Sequence, residues 1–519
     1  MIQRWRAWLA GAVSGGLQVV ALAPWEGIQS PHCWSALAWM AWIPVAAHLV
    51  PLGNRGGFPF QTGCVMGLVF WLGTIYWIAH ATLSGMLALA VPLILIHGMW
   101  AWLFARLAGR WSSGNGVWLA LVGAAAWVAL EWFKAWPLGG FQWNYAAVSQ
   151  FKNPALIQVA AWTGVYGVSF LVLYVNLSLW LAWRRWGKYG VFHGEFFSAA
   201  LLAVWCLVVG NRHLNGMQHY AGEGIDLKIA LVQPNIPQEV KYQVISRKEQ
   251  QERLWRLTLG TASFSPDLVI WPETALVRGP SMDPDQRARL QDLARRIQAP
   301  LFFGAVDMVD SPEKTENGAR PAPLCYNAAM WMDKDGVPQP AYHKLHLVPF
   351  GEYVPGGRRL RWLRRIAPIQ GRFSPGREPV LFEARGIKFG PLICFEDTIP
   401  WLSRQLCLRG ADALVNLTND AWFKESPGAA MHAANAVFRA IENRRPMIRC
   451  SNSGLTCVVD ADGRVLSFHQ PFVEGVLKVT PQIGRQRPVS FYATHGDWFP
   501  LLCGLVVVFG AWGFRKSPS

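Results

Sequence analysis

Hydrophobic residues along the first ~210 positions fall in long runs, not in alternation. Seven runs approach the ~20 apolar residues that a bilayer core of about 30 Å demands. They cover about 7–24, 34–51, 58–78, 83–105, 116–133, 164–183 and 195–210, and an eighth covers about 498–514. Each reads as a membrane span.

From Asp226 the pattern shortens. Leu227–Gln233, Asp267–Trp271, Leu301–Val306, Tyr326–Met332, Ile387–Cys394 and Ala413–Leu417 read as strands. Residues 283–298 and 429–444 carry apolar positions at helical spacing. Strands interleaved with helices imply an α/β domain. The expected organisation is a polytopic α-helical membrane domain over 1–211, an α/β domain over 212–495, and a last span with a short tail over 496–519.

Composition supports this division. Of 519 residues, 52% are hydrophobic, 29 are Trp and only 15% are charged, against about 25% charged in a soluble domain. Disordered, collagen-like and low-complexity classes are excluded. The net charge of +16 first suggests nucleic acid, but its distribution does not. The basic residues lie beside apolar runs or in one knot, Arg358, Arg359, Arg361, Arg364 and Arg365. That suits membrane flanks and anionic lipid, so no nucleic-acid partner is expected. Arg4, Arg6, Arg55, Arg106, Arg110, Arg184, Arg185, Lys188, Arg515 and Lys516 fall on one side of a seven-plus-one topology. The positive-inside rule puts that side, with both termini, in the cytoplasm and residues ~212–495 across the membrane. Ala21-Leu22-Ala23 resembles a signal-peptidase site, but Pro24 follows, and the segment reads as a retained anchor.

His97, Glu131 and Asn176 are polar groups in or near spans, where ionisable residues are functional candidates by default. Structural roles compete in each case, such as an interfacial pairing of Glu131 with Lys134. Nine cysteines without regular spacing give no disulfide framework and no zinc pattern. Neither a metal nor a cofactor is expected.

Three places carry candidate chemistry. In Trp271-Pro272-Glu273-Thr274-Ala275 a strand runs into a carboxylate. Desolvation there makes Glu273 a usable general base, though taken alone a helix-capping Glu is the commoner case. Lys344 and Glu352 sit among apolar and rigid residues from Tyr342 to Pro355. A fixed lysine there suits an oxyanion, whereas most such residues are solvated. In Gly390-Pro391-Leu392-Ile393-Cys394-Phe395-Glu396-Asp397 a strand ends at a cysteine. A helix start beyond it lowers a thiol's pKa; a lone buried Cys is usually inert.

The order Glu, Lys, Cys, each near a strand end, changes the weighting. It resembles the nitrilase (carbon–nitrogen hydrolase) superfamily, and within it most closely the apolipoprotein N-acyltransferase family. The likeness includes Val232 to Gln238, the segments around Glu273, Lys344 and Cys394, Asn416 to Phe423, Glu131-Trp132 and Phe141 to Asn144. It implies an αββα sandwich for the extramembrane domain. It implies Glu273 as base, Lys344 as oxyanion cation and Cys394 as nucleophile, with Glu352 and Glu396 supporting the site. Asn419, Trp422 and Tyr242 match positions near a substrate mouth. Phe395 stands where some relatives have Tyr, so no hydroxyl role falls there.

The resemblance further implies two-step acyl transfer. Cys394 takes an acyl chain from a phospholipid as a thioester, and the α-amine of a diacylglyceryl-cysteine lipoprotein accepts it, with ping-pong kinetics. The implied location is the bacterial inner membrane with the catalytic domain in the periplasm, and a site open to lipid suits a monomer. Leu360 to Arg365, in the arginine knot, reads either as an arm at the lipid surface or as a solvated basic helix. A membrane-anchored amidase keeps the triad and changes the acceptor to water. A transporter with a dead sensor domain would show internal repeats, and none are evident.

Overall fold

The computed structural model describes the chain except residues 1, 23–32, 53–57, 112–114, 190–193, 218–223, 244–245, 311–322, 354–372, 486 and 513–519. The arginine knot and its arm lie outside the described residues. The chain divides into two compact units, Met1–Gln218 with Thr494–Ser519, and His219–Ala493.

The first unit is helical. Pro59–His80, Leu83–Gly109, Gly116–Phe133, Val165–Arg185 and Gly194–Gly216 are long and apolar enough to cross a membrane. A 21-residue helix, Ile2–Leu22, precedes them. Trp34–Val50 and Trp498–Ala511 are apolar but shorter.

The run expected as one span over 34–51 departs from a continuous α-helix. It is a 3-10 helix, Cys33–Trp39, then a turn and an α-helix, Ile43–Leu52. Backbone groups freed by such a break need partners, since an apolar medium offers none. Asn176 supplies them. Its Oδ1 accepts from Trp42 N at 3.0 Å, and its Nδ2 donates to Ala38 O and Val172 O at 2.7 Å each. Ser14 Oγ accepts from Val45 N at 3.0 Å. Asn176 is thus structural.

His97 is buried between Trp42, Trp127 and Phe70, and its Nδ1 accepts from Trp71 Nε1 at 3.3 Å. Glu131 Oε1 accepts from Ala146 N at 2.7 Å. Lys134 donates to Trp143 O at 2.8 Å and lies 4.5 Å from the Tyr145 ring centroid.

The second unit holds fourteen strands among the described residues. They are β1 (Ile225–Asp226), β2 (Ile229–Gln233), β3 (Leu268–Ile270), β4 (Leu301–Val309), β5 (Leu324–Met332), β6 (Tyr342–His343) and β7 (Phe382–Ala384), then β8 (Ile387–Ile393), β9 (Ala413–Thr418), β10 (Met447–Ser451), β11 (Cys457–Val459), β12 (Val465–Phe468), β13 (Gly475–Val479) and β14 (Gln482–Ile483). One six-stranded sheet runs β13-β2-β3-β4-β5-β6 and the other β12-β11-β10-β9-β8-β7. In each sheet the central strands are parallel (β2-β3-β4 and β8-β9-β10).

Between the sheets lies one apolar core, joining Ile229, Leu268 and Phe302 of the first sheet to Phe389, Val415 and Ile448 of the second. The outer face of the first sheet shares a core with the helices Arg247–Leu259 and Pro284–Ile297, through Leu254, Leu290 and Leu293. On the second sheet lie Pro400–Leu408 and the almost wholly buried helix Gly428–Asn443. The result is the expected αββα sandwich. Strands buried on both faces read as continuous apolar runs, which is why β2, β3, β8 and β9 are visible in the sequence. Pro284–Ile297 starts as its sequence dictates. Asp283 accepts from Gln286 N at 3.1 Å, Pro284 takes the first turn, and Arg295 and Arg296 occupy the last.

Replacing Asn176 by Leu strands the Trp42 N–H and the Ala38 carbonyl, at about 1–3 kcal/mol for each buried unsatisfied group. A lowered thermal midpoint in detergent is the expected outcome. An unchanged midpoint would show that the break needs no clamp.

Candidate active site

Glu273 stands three residues beyond β3, 7% exposed. The chain turns there sharply, since Thr274 has φ of 44°. Gly304 of β4 packs on the turn so closely that a Cβ would meet Pro272 O at 2.5 Å and Glu273 Cα at 2.6 Å. Only glycine fits, and its N–H donates to Pro272 O at 3.2 Å. Glu273 Oε1 accepts from Asn327 Nδ2 at 2.7 Å.

Lys344 follows β6, and its N–H donates to Asn327 O at 2.8 Å. The side chain is 1% exposed. Its Nζ lies 2.9 Å from Glu352 Oε2, 3.0 Å from Glu352 Oε1 and 4.0 Å from Glu273 Oε1. Burial opposes its charge, but Glu352, Glu273 and Cys394 outweigh that, and the ammonium is held above its ordinary pKa. Glu352 is fixed in turn by Val348 N at 2.8 Å and Asn327 Nδ2 at 3.1 Å.

Cys394 directly follows β8, half-buried, with φ of 53°. A left-handed conformation is strained for a residue with a Cβ; here it makes a sharp strand-to-helix turn. Burial and then Glu273 push the thiol above its ordinary pKa, against the opposing effect of Lys344. The resting sulfur is therefore protonated at neutral pH. It needs a base when it attacks, and Glu273 is the adjoining carboxylate.

Glu396 accepts from four donors. Leu345 N (2.8 Å) and His346 N (2.9 Å) meet Oε1, while Ile393 N (2.8 Å) and the Tyr342 hydroxyl (2.9 Å) meet Oε2. It ties the segment after Lys344 to the segment around Cys394. Burial raises it to about 7, against Lys344 and the backbone donors. Burial and Glu396 also raise the Tyr342 phenol, which keeps it a donor.

Residues 228–489 match the carbon-nitrogen hydrolase family, and residues 6–178 match the apolipoprotein N-acyltransferase N-terminal domain. The apolipoprotein N-acyltransferase of Geobacter metallireducens is 32% identical over 99% of this chain and 96% of its own. That of Azotobacter vinelandii is 35% identical over 85% and 82%. The chain belongs to the apolipoprotein N-acyltransferase family. A solved amidase from Nesterenkonia sp. is 19% identical over 50% of this chain and 91% of its own, at a TM-score of 0.37.

In this apolipoprotein N-acyltransferase family member, the remaining sequence-selected residues divide. Tyr242 is 39% exposed and lies beside the Glu273 turn. Trp422 is half-buried in the turn Asp420–Phe423. Asn419 is buried with both ends of its amide engaged. Nδ2 donates to Gln238 Oε1 and Oδ1 accepts from Asn452 Nδ2, each at 2.8 Å.

Several site residues escape sequence reasoning. Asn327 joins Glu273 to Glu352, and its only signal is one amide inside the apolar run of β5. Lys241 donates to Glu273 O at 3.0 Å. A buried charge cluster lies beyond Thr418. His432 reaches Asp420 Oδ1 at 2.8 Å and Asp397 Oδ1 at 2.9 Å, and Arg449 pairs with Asp397 and lies 3.5 Å from Asp420. Burial lowers Arg449 to about 10, which leaves it charged. Among the described residues no His, Cys, Asp and Glu group suits a metal.

Replacing Glu396 by Gln sets an amide against N–H donors and loses charge-assisted bonds, at about 3 kcal/mol. A lower urea midpoint is expected, and an unaltered one would remove Glu396 from this role. The raised Cys394 thiol has a separate consequence. Iodoacetamide alkylation of Cys394 keeps accelerating from pH 7 to pH 9, because the thiolate fraction grows with pH. A rate already level at pH 6 would contradict it.

Proposed function

We propose that this protein transfers a fatty acyl chain from a membrane phospholipid to the α-amine of the N-terminal diacylglyceryl-cysteine of lipoproteins. The observation that carries the reading is the buried meeting of Glu273, Lys344 and Cys394 in a chain that also carries five membrane-length apolar helices. A lipid substrate on both sides of the reaction gives those helices a purpose.

Each residue has one role. Glu273 takes the Cys394 proton as Sγ attacks the ester carbonyl. The carbonyl π electrons move onto oxygen, and Lys344 stabilises that oxyanion. The oxyanion collapses, the ester C–O bond breaks, and the proton on Glu273 goes to the departing lysophospholipid alkoxide. A thioester remains on Cys394. The free amine of the lipoprotein then attacks the thioester carbonyl and Glu273 receives the amine's proton. The C–S bond breaks, an amide forms, and the thiolate is reprotonated from Glu273. Glu352 and Glu396 orient Lys344 and the nucleophile turn. Tyr242, Trp422 and Asn419 belong to the substrate mouth, with Asn419 holding the wall from within.

The reading places the protein in the bacterial inner membrane, with eight spans, a periplasmic catalytic domain and cytoplasmic termini, following its charge bias. It works as a monomer, with neither a cofactor nor a nucleic-acid partner.

Detergent-purified protein incubated with phospholipid and no acceptor is expected to gain the mass of one acyl chain. Neutral hydroxylamine removes it, and Cys394→Ala abolishes it. A folded protein that gains no mass would turn the assignment towards amide hydrolysis.

A further inference from the structure

The site contains a second buried lysine. Lys241 ends the short helix Gln238–Lys241, and its side chain is 1% exposed. Its Nζ donates to the carbonyl of Glu273 at 3.0 Å. Its charge interacts with the Glu273 carboxylate and with Cys394. Burial draws its pKa down to about 8, so it is mostly protonated at neutral pH.

A carbonyl needs only a neutral donor. A glutamine meets that need without the desolvation penalty of a buried ammonium. A lysine in this place implies that the charge itself is used. We propose that Lys241 is a positioning residue that holds the Glu273 turn and supplies the second positive charge of the site, keeping it neutral when Cys394 ionises.

The charge count supports this. Glu273, Glu352 and Lys344 sum to one negative charge. Moving the Cys394 proton to Glu273 leaves the total over these groups and Cys394 unchanged, but shifts the negative charge from Glu273 to sulfur and then to the acyl oxyanion. Lys344 is already committed to Glu352 at 2.9 Å. Lys241 brings the total to zero before and after the transfer. Asp420 and Arg449 also act on Cys394, but they are opposite in sign and lie 3.5 Å from each other.

The proposal rests on Cys394 being the nucleophile. Its test uses the full chain in detergent, with Lys241→Gln, which keeps a donor without charge, and Lys241→Arg, which keeps both. Two rates are read at pH 7: iodoacetamide alkylation of Cys394 by peptide mass, and thioester formation from phosphatidylethanolamine micelles. Losing a charge worth one pKa unit makes the thiolate about tenfold scarcer. Lys241→Gln is therefore expected to slow both rates about tenfold or more at a parental melting temperature, and Lys241→Arg to restore most of each. Parental rates in Lys241→Gln would overturn the proposal, as would Lys241→Arg being equally slow. If Lys241→Gln loses its melting transition, Lys241→Met takes its place with the same expected outcomes. A parent that alkylates but forms no thioester defeats the acyltransferase reading alone, and the alkylation arm still decides the role of Lys241.

Discussion

Lys344 is a cation with almost no access to water, 2.9 Å from one carboxylate and 4.0 Å from another. An isolated buried ammonium loses its proton or unfolds its surroundings. Here Glu352 and Glu273 keep it charged. Asn327 bridges the two carboxylates from the neighbouring strand. Remove Lys344 and two neighbouring buried carboxylates lose their counter-charge. The site is thus held together by the electrostatics that its chemistry uses.

The fold exists to bring distant chain segments to that charge. β3 of one sheet and β8 of the other deliver Glu273 and Cys394 at turns beyond their carboxyl ends. Both turns carry left-handed residues, Thr274 and Cys394, and close packing pays for that strain. Glu396 then fastens the turn around Cys394 to the segment after Lys344 through four hydrogen bonds. Side chains placed this way are fixed by sheet register more than by loop conformation, which suits the proposed reaction, since that depends on preorganised charge.

Much of this was legible in the chain. Strands buried on both faces announce themselves as apolar runs, and Pro284–Ile297 and Gly428–Asn443 were readable from helical spacing. The triad was readable only as a conjunction, because Glu273, Lys344 and Cys394 each look ordinary alone. Two kinds of feature were hidden. The break between Cys33–Trp39 and Ile43–Leu52 depends on Asn176, well over a hundred residues away, and hydropathy averages cannot see such a clamp. Lys241, Asn327 and Arg449 are polar residues whose burial follows from tertiary packing; an Asn or Arg within an apolar strand was the one available hint. The arginine knot, prominent in the sequence, lies outside the described residues.

The central claim is that acyl groups pass through Cys394 to an amine. The most direct measurement isolates the acylated protein, free of phospholipid, and adds a synthetic peptide bearing an N-terminal diacylglyceryl-cysteine. The account predicts that the peptide gains one acyl chain in amide linkage as the protein loses one, in equal amounts. Release of the chain as free fatty acid, with the peptide unmodified, would contradict it.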